Sequence, residues 1–293
     1  MDIDQLKNLL RKFNLKPNFT YGQNFLVDDS VLEDIVDAAQ ISSDDNILEI
    51  GPGIGNLTRA LCEKAGFVLS IEKDSKFFPI LKSIKKDYKK NFRFEIADAL
   101  EYDFQAFFYS LQMPSADERQ GLKIKDKGYK VVANIPYYIT GKILQMLFNA
   151  KFKPSSITIL TQKEVAERVT AVPGDLSVLA ISAQIFSKPK IVRLAPAKSF
   201  FPVPKVDSAI LHFELLQNPK VEPSQEKTFF KVVKACFAGK RKQIHNTMVN
   251  NLHMDKHRVQ EILSELKINP AARPQELTIE QWIELSKLIT DNL

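Results

Sequence analysis

Between residues 46 and 215, short apolar runs alternate with stretches in which apolar residues recur every three or four positions. The first pattern predicts strands and the second amphipathic helices. Strands are expected at 46–50, 67–72, 92–96, 130–134, 156–161, 190–194 and 208–215. Helices between them make a βαβ series, hence an α/β fold on a mostly parallel, seven-stranded sheet. Residues 1–45 look mostly helical around a short extended piece, YGQNFLVD. The polar stretch 110–130 has no periodicity and is expected to be a surface loop. QNPKVEPSQEK (217–227) is a linker, and the helical spacing beyond it contains no strand. This predicts two domains, residues 1–218 and a small all-α domain over 219–293. Thr278 and Gln281 have capping-box spacing ahead of the apolar positions in WIELSKLI.

Composition narrows the class. The 293 residues are 44% hydrophobic and 26% charged, as in a soluble globular protein. No apolar run approaches a membrane span. The N-terminus, MDIDQLKNLL, carries acids where a secretory signal carries bases. Cys62 and Cys236 lie far apart and read as core thiols in a reducing cytoplasm. The net charge is +6, and residues 231–260 alone hold seven Lys/Arg against one acid. Such a concentration suggests a nucleic-acid partner, with a solvated helix face as the plain alternative.

The chemistry starts at NILEIGPGIGNLT (46–58), a strand, a glycine turn and a helix start. Gly51, Gly53 and Gly55 allow backbone to approach a ligand closely. Glu72, at the end of the next strand, is placed to accept both hydroxyls of a ribose. A dinucleotide turn would carry a third glycine where Asn56 stands. The pattern therefore fits an adenosine-containing cofactor without a pyrophosphate, and S-adenosylmethionine is the natural candidate. A tight βα turn beside a surface glutamate is the structural alternative. Asp98 ends the third strand, where it could accept a hydrogen bond from an adenine amino group or simply cap a helix.

VVANIPYYIT (131–140) leaves a strand through Asn134, Ile135, Pro136 and Tyr137. Alone it reads first as a turn. On the same sheet edge as the cofactor site, it reads as a pocket for a flat amino-bearing base. The amide carbonyl of Asn134 and the backbone carbonyl of Pro136 would accept the amino N–H groups and aim the nitrogen lone pair. Tyr137 would stack on a base flipped out of its helix. Nitrogen loses its proton after attack, so no strong general base is needed.

With these motifs the chain resembles the KsgA family of bacterial small-subunit rRNA adenine dimethyltransferases. YGQNFLVD, EIGPGIGNLT, IEKD, IADAL, NIPYYIT, LTQKEVAERV (160–169) and FFPVPKVDSAI (200–210) match family signatures in order. The resemblance implies a Rossmann-like class I methyltransferase domain that uses S-adenosylmethionine, with contacts at Asn24, Leu26, Gly51, Glu72, Asp98 and Asn134. It implies dimethylation of two adjacent adenines in the hairpin near the 3′ end of 16S rRNA, late in small-subunit assembly. Aligned with the family, Phe200 becomes a second ring for the flipped base, where the plain reading is a core phenylalanine. CFAGKRKQIHNTMVNNL (236–252) looks like the family's basic C-terminal helices, with Lys240, Arg241 and Lys242 on phosphates. Gln162, Lys163 and Glu164 face RNA or cap a helix, and Lys205 is a surface or phosphate contact. A cytoplasmic monomer is expected, bound to the small ribosomal subunit, with no membrane and no metal. His245, His253 and His257 have no Cys or carboxylate arranged with them.

Two departures concern docking: AVPGDLSV (171–178) is shorter than the family's loop and lacks its tyrosine, and 110–130 is longer. Three readings compete. A resistance-type large-subunit dimethyltransferase shares QNFL and NIPY, a DNA adenine methyltransferase shares the amine chemistry, and a non-catalytic assembly factor could share the scaffold.

Overall fold

The computed structural model describes residues 1–18, 22–112, 128–239 and 241–290. By its internal contacts the chain forms two compact units. One comprises Met1–Ala166 and Lys190–Leu215, the other Glu167–Pro189 and Leu216–Leu293.

In the first unit, Asp2 and Gln5 exchange side-chain and backbone hydrogen bonds in a capping box that starts α1 (Ile3–Lys12). The short strand β1 (Phe25–Leu26) leads to α2 (Asp29–Ala38), where Asp28 accepts the N–H groups of Ser30 and Val31. Then follow β2 (Asn46–Ile50), α3 (Asn56–Lys64), β3 (Phe67–Glu72), α4 (Phe78–Asp87), β4 (Phe92–Ile96), α5 (Phe104–Gln112), β5 (Tyr129–Asn134), α6 (Thr140–Phe148) and β6 (Ser156–Gln162). α7 (Lys163–Val169) crosses into the second unit, which holds α8 (Val178–Phe186). β7 (Ser187–Ala195) leads back to the first unit, where β8 (Phe200–Phe201) and β9 (Ser208–Leu215) complete the strands.

Seven strands form one sheet in the order β4-β3-β2-β5-β6-β9-β7. The pairs β3–β4, β2–β3, β2–β5 and β5–β6 are parallel, and β9 runs antiparallel to β6. All seven expected strands are present. Four keep their expected limits, β5 and β6 each gain one residue, and β7 lengthens to 187–195. All five residues of β2 are buried, as a central parallel strand covered on both faces requires. The strand order reverses between β2 and β5, so a crevice opens at the C-terminal ends of these two strands. β1 and β8 pair separately and antiparallel, with Leu26 opposite Phe200.

The second unit is helical: α8, α9 (Glu226–Phe237), α10 (Ile244–Leu252), α11 (Lys256–Glu265) and α12 (Ile279–Thr290). α9 touches α8, α10 and α12, and the rings of Phe237 and Trp282 lie 5.6 Å apart. The capping box expected at Thr278 and Gln281 is formed, with reciprocal bonds of 3.0 and 3.1 Å. The first unit ends near the expected boundary, but the second also takes in residues 167–189, which the sequence pattern places with the strands. Among the described residues, no helix is long and apolar enough to cross a membrane.

Candidate active site

The crevice at the strand-order reversal is a cleft with about 1170 Å³ of empty space, open solvent included. Its floor is the turn after β2. Gly51, Gly53 and Gly55 adopt φ of 73°, 53° and 80°, the left-handed region in which a Cβ is disfavoured. At Gly55 a Cβ would also come within 2.1 Å of Ile84 Cδ1.

Glu72, at the end of β3, is 6% exposed. Its Oε2 accepts the Gly53 N–H at 2.9 Å and its Oε1 the Asp74 N–H at 2.8 Å. Burial pushes its carboxyl above the ordinary range, and the backbone N–H groups of Asp74, Gly53 and Lys73 pull it back. A carboxylate has about four lone-pair positions, so these backbone donors do not exhaust its capacity to accept a hydroxyl. Asp98 lies just beyond β4. Lys73 Nζ donates to it at 2.6 Å and the Leu100 N–H at 3.0 Å, and these bonds hold its carboxyl below the usual range.

One wall is the strap Gly22–Leu26. Asn24 donates to the Gly22 carbonyl at 3.1 Å. Leu26 is buried and pairs with Phe200. Gln23 donates to Asp74 Oδ2 at 3.0 Å, and Asn56 to the Leu26 carbonyl at 3.1 Å.

The opposite wall is the NIPY turn. Asn134 is the last residue of β5, and its side-chain amide makes no hydrogen bond among the described residues. Pro136 opens a 3-10 turn over Tyr137–Ile139, and its carbonyl accepts the Ile139 N–H at 3.2 Å, which leaves one lone pair. Tyr137 is half-buried, its hydroxyl 2.7 Å from Ser208 Oγ. The two flanking signatures brace this turn. Thr140 and Thr161 hydroxyls lie 3.2 Å apart, and the Lys163 N–H donates to the Asp207 carbonyl at 3.0 Å.

The structure thus brings Asn24, Leu26, Gly51, Gly53, Glu72, Asp98, Asn134, Pro136 and Tyr137 to one cleft, with Gly55 shaping its floor. It does not bring Phe200 there. That ring is 1% exposed in the core, because pairing of β8 with β1 seats it beside Leu26. Arg241 and Lys242 are exposed after α9, and Lys240 lies outside the described residues, as does most of the 110–130 stretch. Gln162 and Lys163 are half-buried, and Glu164 and Lys205 exposed. Gln23, Asp74, Ser208 and the clasp from Asn56 are site features that motif reading passed over. Gln23 sits inside QNFL and Asn56 inside GIGN, so the signal was adjacency to residues already singled out.

The charge of the cleft decides what it fits. Among the described lining residues, three carboxylates (Glu72, Asp74, Asp98) face one base, Lys73, itself paired with Asp98. A pyrophosphate would be repelled by such a lining. A cationic adenosine derivative would be attracted. Glycine turn, buried strand-end glutamate, acidic cleft and sheet order are those of a Rossmann-like class I methyltransferase of the S-adenosylmethionine-dependent kind.

Within that class, the chain belongs to the ribosomal RNA adenine dimethylase family, whose sequence profile matches residues 14–291. The ribosomal RNA small subunit methyltransferase A of Clostridium botulinum (strain Langeland) is 38% identical over 289 residues, covering 98% of this chain and 99% of its own. The protein of the same description from Alkaliphilus oremlandii is 36% identical over 290 residues, covering 98% and 96%. The crystal structure of the 23S rRNA methyltransferase ErmE superposes with a TM-score of 0.69 at 27% identity, covering 91% of this chain and 100% of that one. A dimethyladenosine transferase from Plasmodium falciparum superposes with a TM-score of 0.72 at 24% identity, covering 92% and 98%, and supports the fold. The family resemblance carried by the motifs is borne out along nearly the whole chain.

Proposed function

We propose that this enzyme dimethylates N6 of two adjacent adenosines in the 3′-terminal hairpin of 16S rRNA, acting as a cytoplasmic monomer on a late small-subunit intermediate. The observation that carries the reading is the free amide of Asn134 in the same cleft as Glu72 and the glycine turn. The small-subunit descriptions of full-length relatives support the substrate.

S-adenosylmethionine, when bound, supplies an electrophilic methyl group on sulfur. Glu72 holds the ribose hydroxyls, Asp98 receives the adenine amino group, and Asn24, Leu26 and Gly51 complete the cradle. Gly53 lines the floor, and Gly55, outside the lining, gives the turn its left-handed bend where a Cβ would strike Ile84. The target adenine lies against Tyr137, whose hydroxyl is pinned to Ser208 so that the ring cannot rotate away. Asn134 Oδ1 and the Pro136 carbonyl each accept an N–H of the exocyclic amine. These bonds favour a pyramidal nitrogen and aim its lone pair into the cleft. With the lone pair so aimed, the amine would be the acceptor of the methyl group that the cofactor would supply, and its displaced proton would be lost to solvent. Stacking on Phe200 would require that ring to leave the core, so Tyr137 carries the base in this mechanism. Residues 1–218 supply catalysis, and the helical residues 219–293 supply RNA affinity through Lys240, Arg241 and Lys242.

Incubation with methyl-labelled S-adenosylmethionine and, in parallel, unmethylated small subunits, large subunits and DNA tests the proposal. Dimethyladenosine confined to small subunits is the expected result. Label in large subunits would replace it with the resistance-type reading, and no label anywhere would remove the enzymatic reading.

A further inference from the structure

Asn56 stands where a dinucleotide-binding turn keeps its third glycine, a position at which a bare backbone lets helix and strand approach. Here it is the first residue of α3, directly after the left-handed Gly55. Its side-chain Nδ2 donates to the Leu26 carbonyl at 3.1 Å. A glycine could not make this bond, and neither could an aliphatic residue.

The strap that it reaches is otherwise held at its ends. At the front, the Gln23 side chain donates to Asp74 Oδ2 at 3.0 Å and accepts the Asn18 N–H at 2.8 Å. At the back, Leu26 pairs with Phe200, and the Val27 N–H donates to the Ser199 carbonyl at 2.9 Å. Asn56 links the strap directly to the cofactor floor. It joins the wall that carries Asn24 and Leu26 to the turn that carries Gly51, Gly53 and Gly55.

We propose that Asn56 is a positioning residue that clasps the Gly22–Leu26 strap to the glycine turn and so slows cofactor escape. The inference rests on the S-adenosylmethionine reading of the cleft. The clasp gives physical content to the missing glycine: a pyrophosphate-free cofactor frees the place, and an amide uses it to hold a wall.

Asn56→Asp separates this role from a merely structural one, because the two predict different ligand affinities. Asp has the same shape but only accepts hydrogen bonds when ionised, so it would face the Leu26 carbonyl acceptor to acceptor. At the start of α3, however, a carboxylate favours the helix through its macrodipole. A helix-start role therefore predicts an equally stable or more stable protein with unchanged ligand binding. The clasp predicts weaker binding at unchanged stability.

The experiment measures S-adenosylhomocysteine affinity by calorimetry, its dissociation rate, and the melting temperature of the ligand-free full chain. S-adenosylhomocysteine lacks the sulfonium charge and is net neutral, so an added carboxylate attracts it less than it would the charged cofactor. Asn56→Asp is expected to weaken binding about tenfold, mainly through faster dissociation, with the melting temperature unchanged or raised. Asn56→Ala should do so to a smaller extent, and Gln23→Glu, which sets a second carboxylate against Asp74, should repeat the signature from the other end. Wild-type affinity in Asn56→Asp would overturn the clasp, as would an affinity loss that accompanies a fall in melting temperature. Wild-type protein that bound no S-adenosylhomocysteine would overturn the cofactor reading itself, and the clasp with it.

Discussion

Asn134 ends β5 and lines the cleft, half-buried, so its replacement tests the role proposed for its amide. Asn134→Ala should lower kcat by about 10²-fold or more, the usual effect of losing one preorganised polar group. Small-subunit binding should persist, and near-normal turnover would remove Asn134 from the mechanism. Glu49 has an effect of another kind. It is 1% exposed as the penultimate residue of β2, its Oε2 accepting the Thr58 and Ser70 hydroxyls at 2.7 and 2.5 Å. Its Oε1 has no partner among the described residues. Burial raises its carboxyl from an ordinary 4.5 to about 7. Below the ordinary value the group is neutral in the folded and unfolded chains alike. As pH rises through the window up to about 7, the unfolded chain releases the proton first, and stability is lost. Glu49→Gln is neutral throughout, so its melting temperature should rise relative to wild type between pH 4.5 and 7 and then level off. A gap that stays constant with pH would show that Glu49 ionises normally. Gly51, Glu72, Asp98 and Asn134 were legible because each stands at a strand end in a recognisable motif. Glu49 lies in the same motif but looks like an ordinary strand acid until both faces of β2 are seen to be covered. Ser208 was equally hidden, since it is 71 residues from Tyr137 and meets it only because β9 returns beside β6.

β2, β3 and β9 are mostly buried and stand out as apolar runs, and the edge strand β4 stands out by its alternation, so all four matched their expected limits. β7 alternates buried and exposed positions, so only its middle stood out, and it proved longer at both ends. β1 and β8, two residues each, have no pattern of their own and exist through their mutual pairing. That pairing also explains why the stretch around Phe200 lies in the core rather than in the cleft. On α9, Lys227, Lys231 and Lys234 are exposed at helical spacing on one face, and the helix leads to Arg241 and Lys242. Their charge was evident from composition, but their alignment needed the helix. If this stripe follows an RNA backbone, Arg241→Glu should weaken small-subunit binding and flatten the salt dependence by about one unit in log–log slope. Lys231→Glu with Lys234→Glu should flatten it further. Binding isotherms between low and physiological salt read the slope, and an unchanged slope would move the RNA face elsewhere.

The helical unit is written in two separated pieces of chain. α8 comes from residues 167–189, yet it packs on α9 and α12, and its apolar residues Ile181, Ile185 and Phe186 are buried. The Leu216 and Lys220 N–H groups donate back to the carbonyls of Phe186 and Ile185 at 2.9 Å, and the Gly174 N–H donates to the Gln275 carbonyl at 2.8 Å. A chain cut at residue 218 would therefore keep α8 but lose its packing partners, and it should bind a hydrophobic dye and aggregate on mild heating. The same division bears on how such proteins can recombine. A single genetic crossover near residue 216 would give the recipient one half of a helical core and leave the other half behind. Exchange of the helical unit between relatives then takes a paired transfer, the short internal cassette together with the tail, and lineages that inherit only the tail start from a mismatched fold.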